Sequence, residues 1–273
     1  MRKVRLQDMT SAEVKERFAE KPVVLLPFGA QETQGPHVPM GDFALAEKLS
    51  AQVGERADCV VAPTVPFGDS EFFRALPGAV SLRPPTLVAL IEDICENFID
   101  HGLERLVIFN GQTSNGPWID QAVRNIRLKH GIYIPCLNIW RILTADQQKT
   151  LYGDKLQGSQ GHGGDPITSM FLHFFPELVR TDLLAAPKKF KQAFGLQSRS
   201  VSSVDFRGVA VPMPFNMFEM SENGNLSGDG SKASAEIGKA TAEAIVDFAA
   251  GFVKHFAECD PHDPTAAPKG ATK

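Results

Sequence analysis

The sequence predicts a three-layer α/β/α fold built on a mostly parallel sheet. Three observations carry that expectation: apolar runs too continuous to alternate, helical periodicity in the segments between them, and glycine- and polar-rich stretches after the runs. A strand covered on both faces reads as an unbroken apolar run, and strands alternating with helices imply βαβ units.

The first strand is expected over 23–27 (VVLLP), followed by a helix over 42–53 that places Ala44, Leu45, Leu49 and Val53 on one face. The second strand falls at 59–63 (CVVAP). The helix after it, over 87–99, is introduced by Pro84 and Pro85 and repeats Leu90, Ile91, Ile94 and Phe98. A third strand over 105–110 (RLVIFN) leads to a helix over 118–130 with Ile119, Ala122, Val123 and Ile126 in one stripe, and 132–138 (IYIPCLN) is the fourth strand. Beyond it, 168–175 reads as a short buried helix and 233–256 as a long alanine-rich amphipathic one. The stretch 188–225 is too proline-rich and mixed to assign, and its lysines read as a solvated loop. With no repeat and no linker, residues 1–258 form one domain, and 259–273, lacking an apolar face, is expected to be a disordered tail.

Composition narrows the function. The chain has 273 residues, 43% hydrophobic and 22% charged, long enough to bury a core without disulfides or a structural metal. A net charge of -4 argues against a nucleic-acid or anionic-membrane partner. No apolar run approaches the roughly 20 residues of a membrane span, and the charged opening MRKVRLQDMT has no signal-peptide stretch, so a cytoplasmic location is expected. The four cysteines form no CxxC pair, against a thiolate zinc site; Cys59, Cys95 and Cys136 read as buried small hydrophobes.

Ligands of open parallel sheets bind outside the carboxyl ends of the strands. That rule gathers 28–42 (FGAQETQGPHVPMGD), 66–81 (PFGDSEFFRALPGAVS) and 110–116 (NGQTSNG), and a fourth polar cluster, 158–169 (GSQGHGGDPITS), has the same composition. Glu32, His37 and Asp42 lie on backbone stiffened by Gly-Pro and Pro-Met-Gly, a set suited to a divalent cation or an acid–base pair. Equally, Asp42 could cap the following helix while Glu32 pairs with a surface cation. His162 and Asp165 pose the same choice, since Asp165 precedes a helix and could serve as its cap. Phe72 and Phe73 either wall a pocket or belong to the core. Residues 68–72 (GDSEF) lack the last glycine of a nucleophile elbow, and no GxGxxG or GxxxxGK[ST] motif is present.

With those clusters in place, the chain resembles the creatininase (creatinine amidohydrolase) family along nearly its whole length. GAQETQGPHVPMGD looks like the family's G-S-x-E-Q-H-G-P-H-L-P-x-x-T-D, with one residue fewer between His37 and Asp42. PFGDSEFFRALPGAVSL is similar to a segment ending F-P-G-T-I-S-L; NGQTSNG matches N-G-H-G-G-N, and GHGGDPITSMF matches H-A-G-E-x-E-T-S. NGNLSGDGSKASAEIG resembles the late G-x-x-G-D-P element. The resemblance implies a creatininase-like fold and hydrolysis of a C–N bond in a small cyclic amide or amide-like substrate. It implies Glu32, Asp42 and Asp165 as ligands of a divalent metal ion (manganese, magnesium or zinc). His162 and Glu32 would handle protons, and Gln34, His37, Gln112, Ser70 and Phe72 would contact the small-molecule substrate. Self-association, as a homohexamer, is implied as well. Two departures stand out: family histidine ligands are replaced by Gln34 and Gln112, and the second glutamate of E-x-E-T-S is Ile167. A neutral amide oxygen is a poor zinc ligand, so the substitutions shift the set toward manganese, magnesium or calcium. The competing expectations are a metal-free hydrolase of a cyclic ketone or lactone, and an inactive paralogue that binds small molecules or assembles with partners.

Overall fold

The computed structural model describes residues 2–188, 192–200 and 202–268. Strand β1 (Val24–Phe28) is flanked by β2 (Val60–Val61) and β3 (Leu106–Asn110), and β4 (Cys136–Asn138) lies beyond β3. All three pairings are parallel, with Leu25 opposite Val61 and Val107. The helices, in chain order, are α1 (Ser11–Ala19), α2 (Phe43–Ala57), α3 (Pro84–Asp100), α4 (Gly116–His130), α5 (Ala145–Tyr152), α6 (Leu156–Ser159), α7 (Ile167–Phe174), α8 (Met217–Met220) and α9 (Ala235–Ala257).

The unbroken apolar runs are explained by two cores. Successive side chains leave a strand on opposite faces. Leu25, Val107 and Phe109 pack with Leu45, Leu49 and Val53 of α2, Phe171 of α7 and Ile245, Val246 and Ala249 of α9. Val24, Leu26, Phe28, Leu106 and Ile108 pack on the other face with Leu87 and Ile91 of α3 and Ile119, Ala122 and Ile126 of α4. Each such side chain contributes about 1.5–3 kcal/mol on burial, so the interior strands cannot be polar on either face. Local chemistry sets the helix ends: prolines start α3, and Gly131, at φ +75°, stops α4 in a left-handed turn that favours glycine.

The unassigned stretch contains an antiparallel meander of β5 (Gln192–Ala193), β6 (Leu196–Ser200), β7 (Ser203–Phe206) and β8 (Val209–Pro212). Its hairpins turn at Phe194-Gly195 and Arg207-Gly208, all four at positive φ. Two-residue turns of that kind match the twist of the strands they join. Residues 189–191 and 201 lie outside the described residues.

Two expectations are corrected. Cys136 is exposed rather than buried, because β4 is the edge of the sheet. The tail is held at its start, over Cys259–His262: the backbone N–H of Tyr133 donates to Pro261 O, Arg105 donates to Cys259 O, and His262 lies 3.3 Å from Glu104. Polar contacts to the strand and helix ends hold it without an apolar face. Residues 269–273 lie outside the described residues. No described helix is long and apolar enough to cross a membrane.

Helix α9 crosses α7 so closely that a Cβ at Gly238 would sit 1.9 Å from the Ser169 carbonyl oxygen, whereas one at Gly251 would meet nothing within 4 Å. The two glycines should therefore respond with opposite signs to alanine. Gly238→Ala is expected to cost about 1–3 kcal/mol by overpacking. Gly251→Ala should gain about 0.5–1 kcal/mol from helix propensity. Urea unfolding checks both, and a neutral Gly238→Ala would remove this account of the helix contact.

Candidate active site

A cavity of about 770 Å³ opens where the carboxyl ends of the parallel strands meet the segment before α7. Its wall brings together Glu32, Gln34, Asp42, Ser70, Phe72, Gln112, His162 and Asp165, residues scattered over four segments of the sequence. His37 is the exception among the expected site residues, being absent from the wall. Its ring is turned behind the wall, where Nε2 lies 3.0 Å from the Thr168 hydroxyl and its carbonyl accepts from Arg180 N–H. These contacts pin the first loop to α7.

Glu32 is only 2% exposed, which rules out its pairing with a surface cation. Three neutral donors from three loops hold its carboxylate. Ser70 Oγ donates to Oε2 at 2.7 Å, Gln112 Nε2 donates to the same oxygen, and Gln34 Nε2 donates to Oε1 at 3.2 Å. The Gln112 loop is set by Asn110, whose amide donates to Gln112 O at 2.6 Å and whose Oδ1 accepts from Gln112 N–H. Asp42 precedes α2 but makes no side-chain cap bond to it. Its Oδ1 instead accepts from Ala30 N–H at 2.8 Å, aiming the carboxyl back into the site. Burial raises both carboxyls above the usual range, and the charge of Glu32 raises Asp42 further. No basic side chain counts among the groups that act on either.

Across the cavity, His162 Nε2 lies 2.6 Å from Thr33 O. A carbonyl can only accept, so Nε2 carries the hydrogen and Nδ1 of the neutral ring holds a free lone pair. Burial drives this imidazole down to about 4, with the carbonyl of Thr33 opposing the shift. Phe73 stacks on the ring, 4.6 Å between centroids at 21°. Asp165, 1% exposed, receives the N–H of Ser169 on Oδ1 at 2.9 Å, so it does tie down the start of α7. Its Oδ2 has no hydrogen-bond partner among the described residues, and neither do His162 Nδ1 and Gln34 Oε1.

The expected three-carboxylate metal set is not assembled. Among the described residues no three His, Cys, Asp or Glu side chains converge as metal ligands. Asp165 spends Oδ1 on the first turn of α7. The Glu32–Asp42 pair, with the unpartnered amide oxygen of Gln34, nevertheless fits a hard cation that takes oxygen ligands. A divalent cation would let both buried carboxyls ionise, which burial and their mutual repulsion oppose, and the set offers zinc neither imidazole nor thiolate.

The sequence family model described as creatinine amidohydrolase matches residues 7–253. The chain belongs to the creatininase family. It is 30% identical over 190 residues to the creatinine amidohydrolase of Pseudomonas putida, covering 64% of this chain and 73% of that protein. It is 24% identical over 267 residues to the 3-dehydro-scyllo-inosose hydrolase of Thermotoga maritima, covering 93% and 84%. The solved structure named creatininase Mn superposes with a TM-score of 0.74 at 27% identity, over 93% of this chain and 98% of that one. The expected creatininase-like α/β fold is thus borne out.

Several wall residues were not singled out as site residues, Ser114 and Trp140 among them, and Phe73 was weighed with Phe72 only as pocket wall or core. Phe73 could not be told from its neighbour Phe72 by residue type. Ser114, whose hydroxyl donates to Asp69 O, is one small polar residue among several. Trp140 lies two residues beyond the end of β4, and its place near a strand's carboxyl end was the available signal.

The carboxyl pair has a consequence for stability. Folded Glu32 and Asp42 hold protons more tightly than they do unfolded. Above the ordinary carboxylate range the folded state therefore binds more protons, and stability falls as pH rises. Metal-free protein should lose stability from about pH 5 toward neutrality, and Glu32→Gln should flatten that slope by up to about 1.4 kcal/mol per pH unit. Parallel urea-unfolding profiles for the two proteins would contradict the assignment.

Proposed function

We propose that this chain hydrolyses a C–N bond in a small cyclic amide or amide-like substrate, assisted by a divalent cation held by Glu32 and Asp42. The observation that carries the reading is the buried carboxyl pair, facing a neutral histidine of fixed tautomer in one cavity. A bound divalent cation supplies Lewis acidity toward the carbonyl under attack. The residues of the chain do the rest. Ser70, Gln112 and Gln34 fix the orientation of Glu32, and Ala30 N–H fixes Asp42. His162 Nδ1 accepts the proton of the attacking water and returns it to the departing nitrogen, while Phe73 keeps the ring in place. Phe72 and Phe73 exclude bulk water from one side of the cavity. The Pseudomonas and Thermotoga relatives, each named a hydrolase, favour this over a silent binding protein.

Asp42→Asn should strip the protein of metal and lower turnover of the best substrate in a cyclic-amide panel, starting with creatinine. The loss should exceed the roughly 10–100-fold cost of removing an outer-shell partner. Elemental analysis of the purified variant decides the point, and wild-type metal content would refute the proposal. Chelated wild-type protein should recover more activity with manganese or magnesium than with equimolar zinc, since the donors are oxygens. Equal or better recovery with zinc would show that Gln34 and Gln112 do not set the preference.

A further inference from the structure

The cavity wall carries five carboxyls, on Glu32, Asp42, Asp69, Glu71 and Asp165, and a single lysine or arginine among its described residues, Arg141. Elsewhere in the chain arginines find carboxylates, and eight of them stand in ion pairs. Arg141 is exposed, and its side chain enters no ion pair or hydrogen bond among the described residues. An unpaired arginine on open surface is ordinary; one set into a wall of carboxyls is not. The carboxyls around it are engaged elsewhere. Glu32 takes its three neutral donors, Asp42 the N–H of Ala30 and Asp165 the N–H of Ser169. Asp69 accepts from Glu71 N–H at 3.2 Å and from Trp118 Nε1 at 2.9 Å, and Glu71 pairs with Arg74 at 3.4 Å.

The backbone beneath Arg141 is fixed. It ends the short helical turn Ile139–Arg141 that follows β4; Ile139 is buried in the core, and Trp140 Nε1 donates to Gly111 O. Asn138 of β4 lies opposite Asn110 of β3 in the parallel register. Neighbouring strands run about 4.8 Å apart, so the chain leaving Asn138 runs beside the loop that carries Gln112. Gln112 Nε2 in turn donates to Glu32. Arg141 is thus a cation anchored at its root next to the Glu32 loop, with its side chain open to the cavity. The cavity also has space to spare. Its volume of about 770 Å³ is several times the roughly 150 Å³ that holds a benzene-sized ring, which leaves room for a further substituent.

We propose that Arg141 is a specificity residue that binds an oxyanion of the substrate, so that the molecule taken here carries a carboxylate or phosphate besides its scissile C–N bond. This rests on the reading of the cavity as the reacting site and adds a charge to the class of molecule it takes. A guanidinium stays charged at any working pH, and its planar fork of donors matches two oxygens of a carboxylate or phosphate. A neutral cyclic amide leaves the fork unused, and a cationic one is repelled by it.

Calorimetric titration of the manganese-loaded protein tests the anchor with two matched pairs of probes. Pyroglutamate, a cyclic amide with a carboxylate, is set against its neutral primary amide, and glycerol phosphate against glycerol. Tighter binding of the anion in the first pair identifies carboxylate as the source, and in the second pair phosphate. The anionic member of at least one pair should bind at least about tenfold more tightly than its neutral partner. Arg141→Gln alters an exposed side chain, so it should retain wild-type manganese content while bringing that pair to within about twofold. No heat from either anion at about 50 mM, equal binding of anion and neutral partner, or a preference that survives in Arg141→Gln would each overturn the proposal. Loss of manganese from Arg141→Gln would overturn it too, tying Arg141 to the metal rather than to the substrate. If that variant does not fold, Arg141→Met keeps the aliphatic stem and should show the same loss; a preserved preference there is equally fatal. Wild-type metal in Asp42→Asn, with the anion preference intact, would sink the carboxyl-pair reading and leave the anchor standing.

Discussion

Glu32 is a carboxyl taken out of water, and the site is organised around meeting that cost. An ionised carboxyl in a protein interior persists only with several donors or a counterion. Its three donors come from different places: Gln34 from the loop after β1, Ser70 from the loop after β2, and Gln112 from the loop after β3. One side chain thereby fixes the relative positions of three loops that are distant in sequence. Asp42 adds a fourth tie, joining the start of α2 to Ala30.

The identity of the donors shapes the chemistry. Imidazole rings beside a carboxylate compete for a metal as ligands through their lone pairs. Amides instead spend N–H groups on the carboxylate, as Gln34 and Gln112 do here, and keep a neutral oxygen to offer. The pair Glu32–Asp42 therefore stays oxygen-rich, while the other half of the cavity is neutral at His162 and anchored to α7 through Asp165. Binding and proton handling are separated in space, which lets either half change without dismantling the other.

Much of this was legible in the sequence. The strands and their helices were, because burial on both faces forces apolar runs that nothing else explains. The loops of the site followed from the rule that parallel sheets bind ligands at their carboxyl ends, and that brought Glu32, Ser70 and Gln112 together before any contact was visible, while His162 stood out only by the similar composition of its segment. What the sequence withheld was direction. His37 sits five residues from Asp42 in a loop full of chemistry, yet its ring turns to Thr168. Asp165 looked both like a cap and like a ligand; its two oxygens divide, one bonded to α7 and one idle. The meander was hidden for another reason: its strands are short and half-exposed, with polar residues such as Arg199 and Asp205, so no periodicity rises above the loops.

The chain contains two tryptophans, and both are wired to these loops. Trp118 Nε1 donates to Asp69 at 2.9 Å, and Asp69 O in turn accepts from Gln112 and Ser114. Trp140 lines the cavity, and its Nε1 donates to Gly111 O, one residue before Gln112. No indole lies elsewhere to dilute the signal. The intrinsic fluorescence of this protein is therefore a built-in optical report on its cavity, able to register occupancy without a label or a coupled assay.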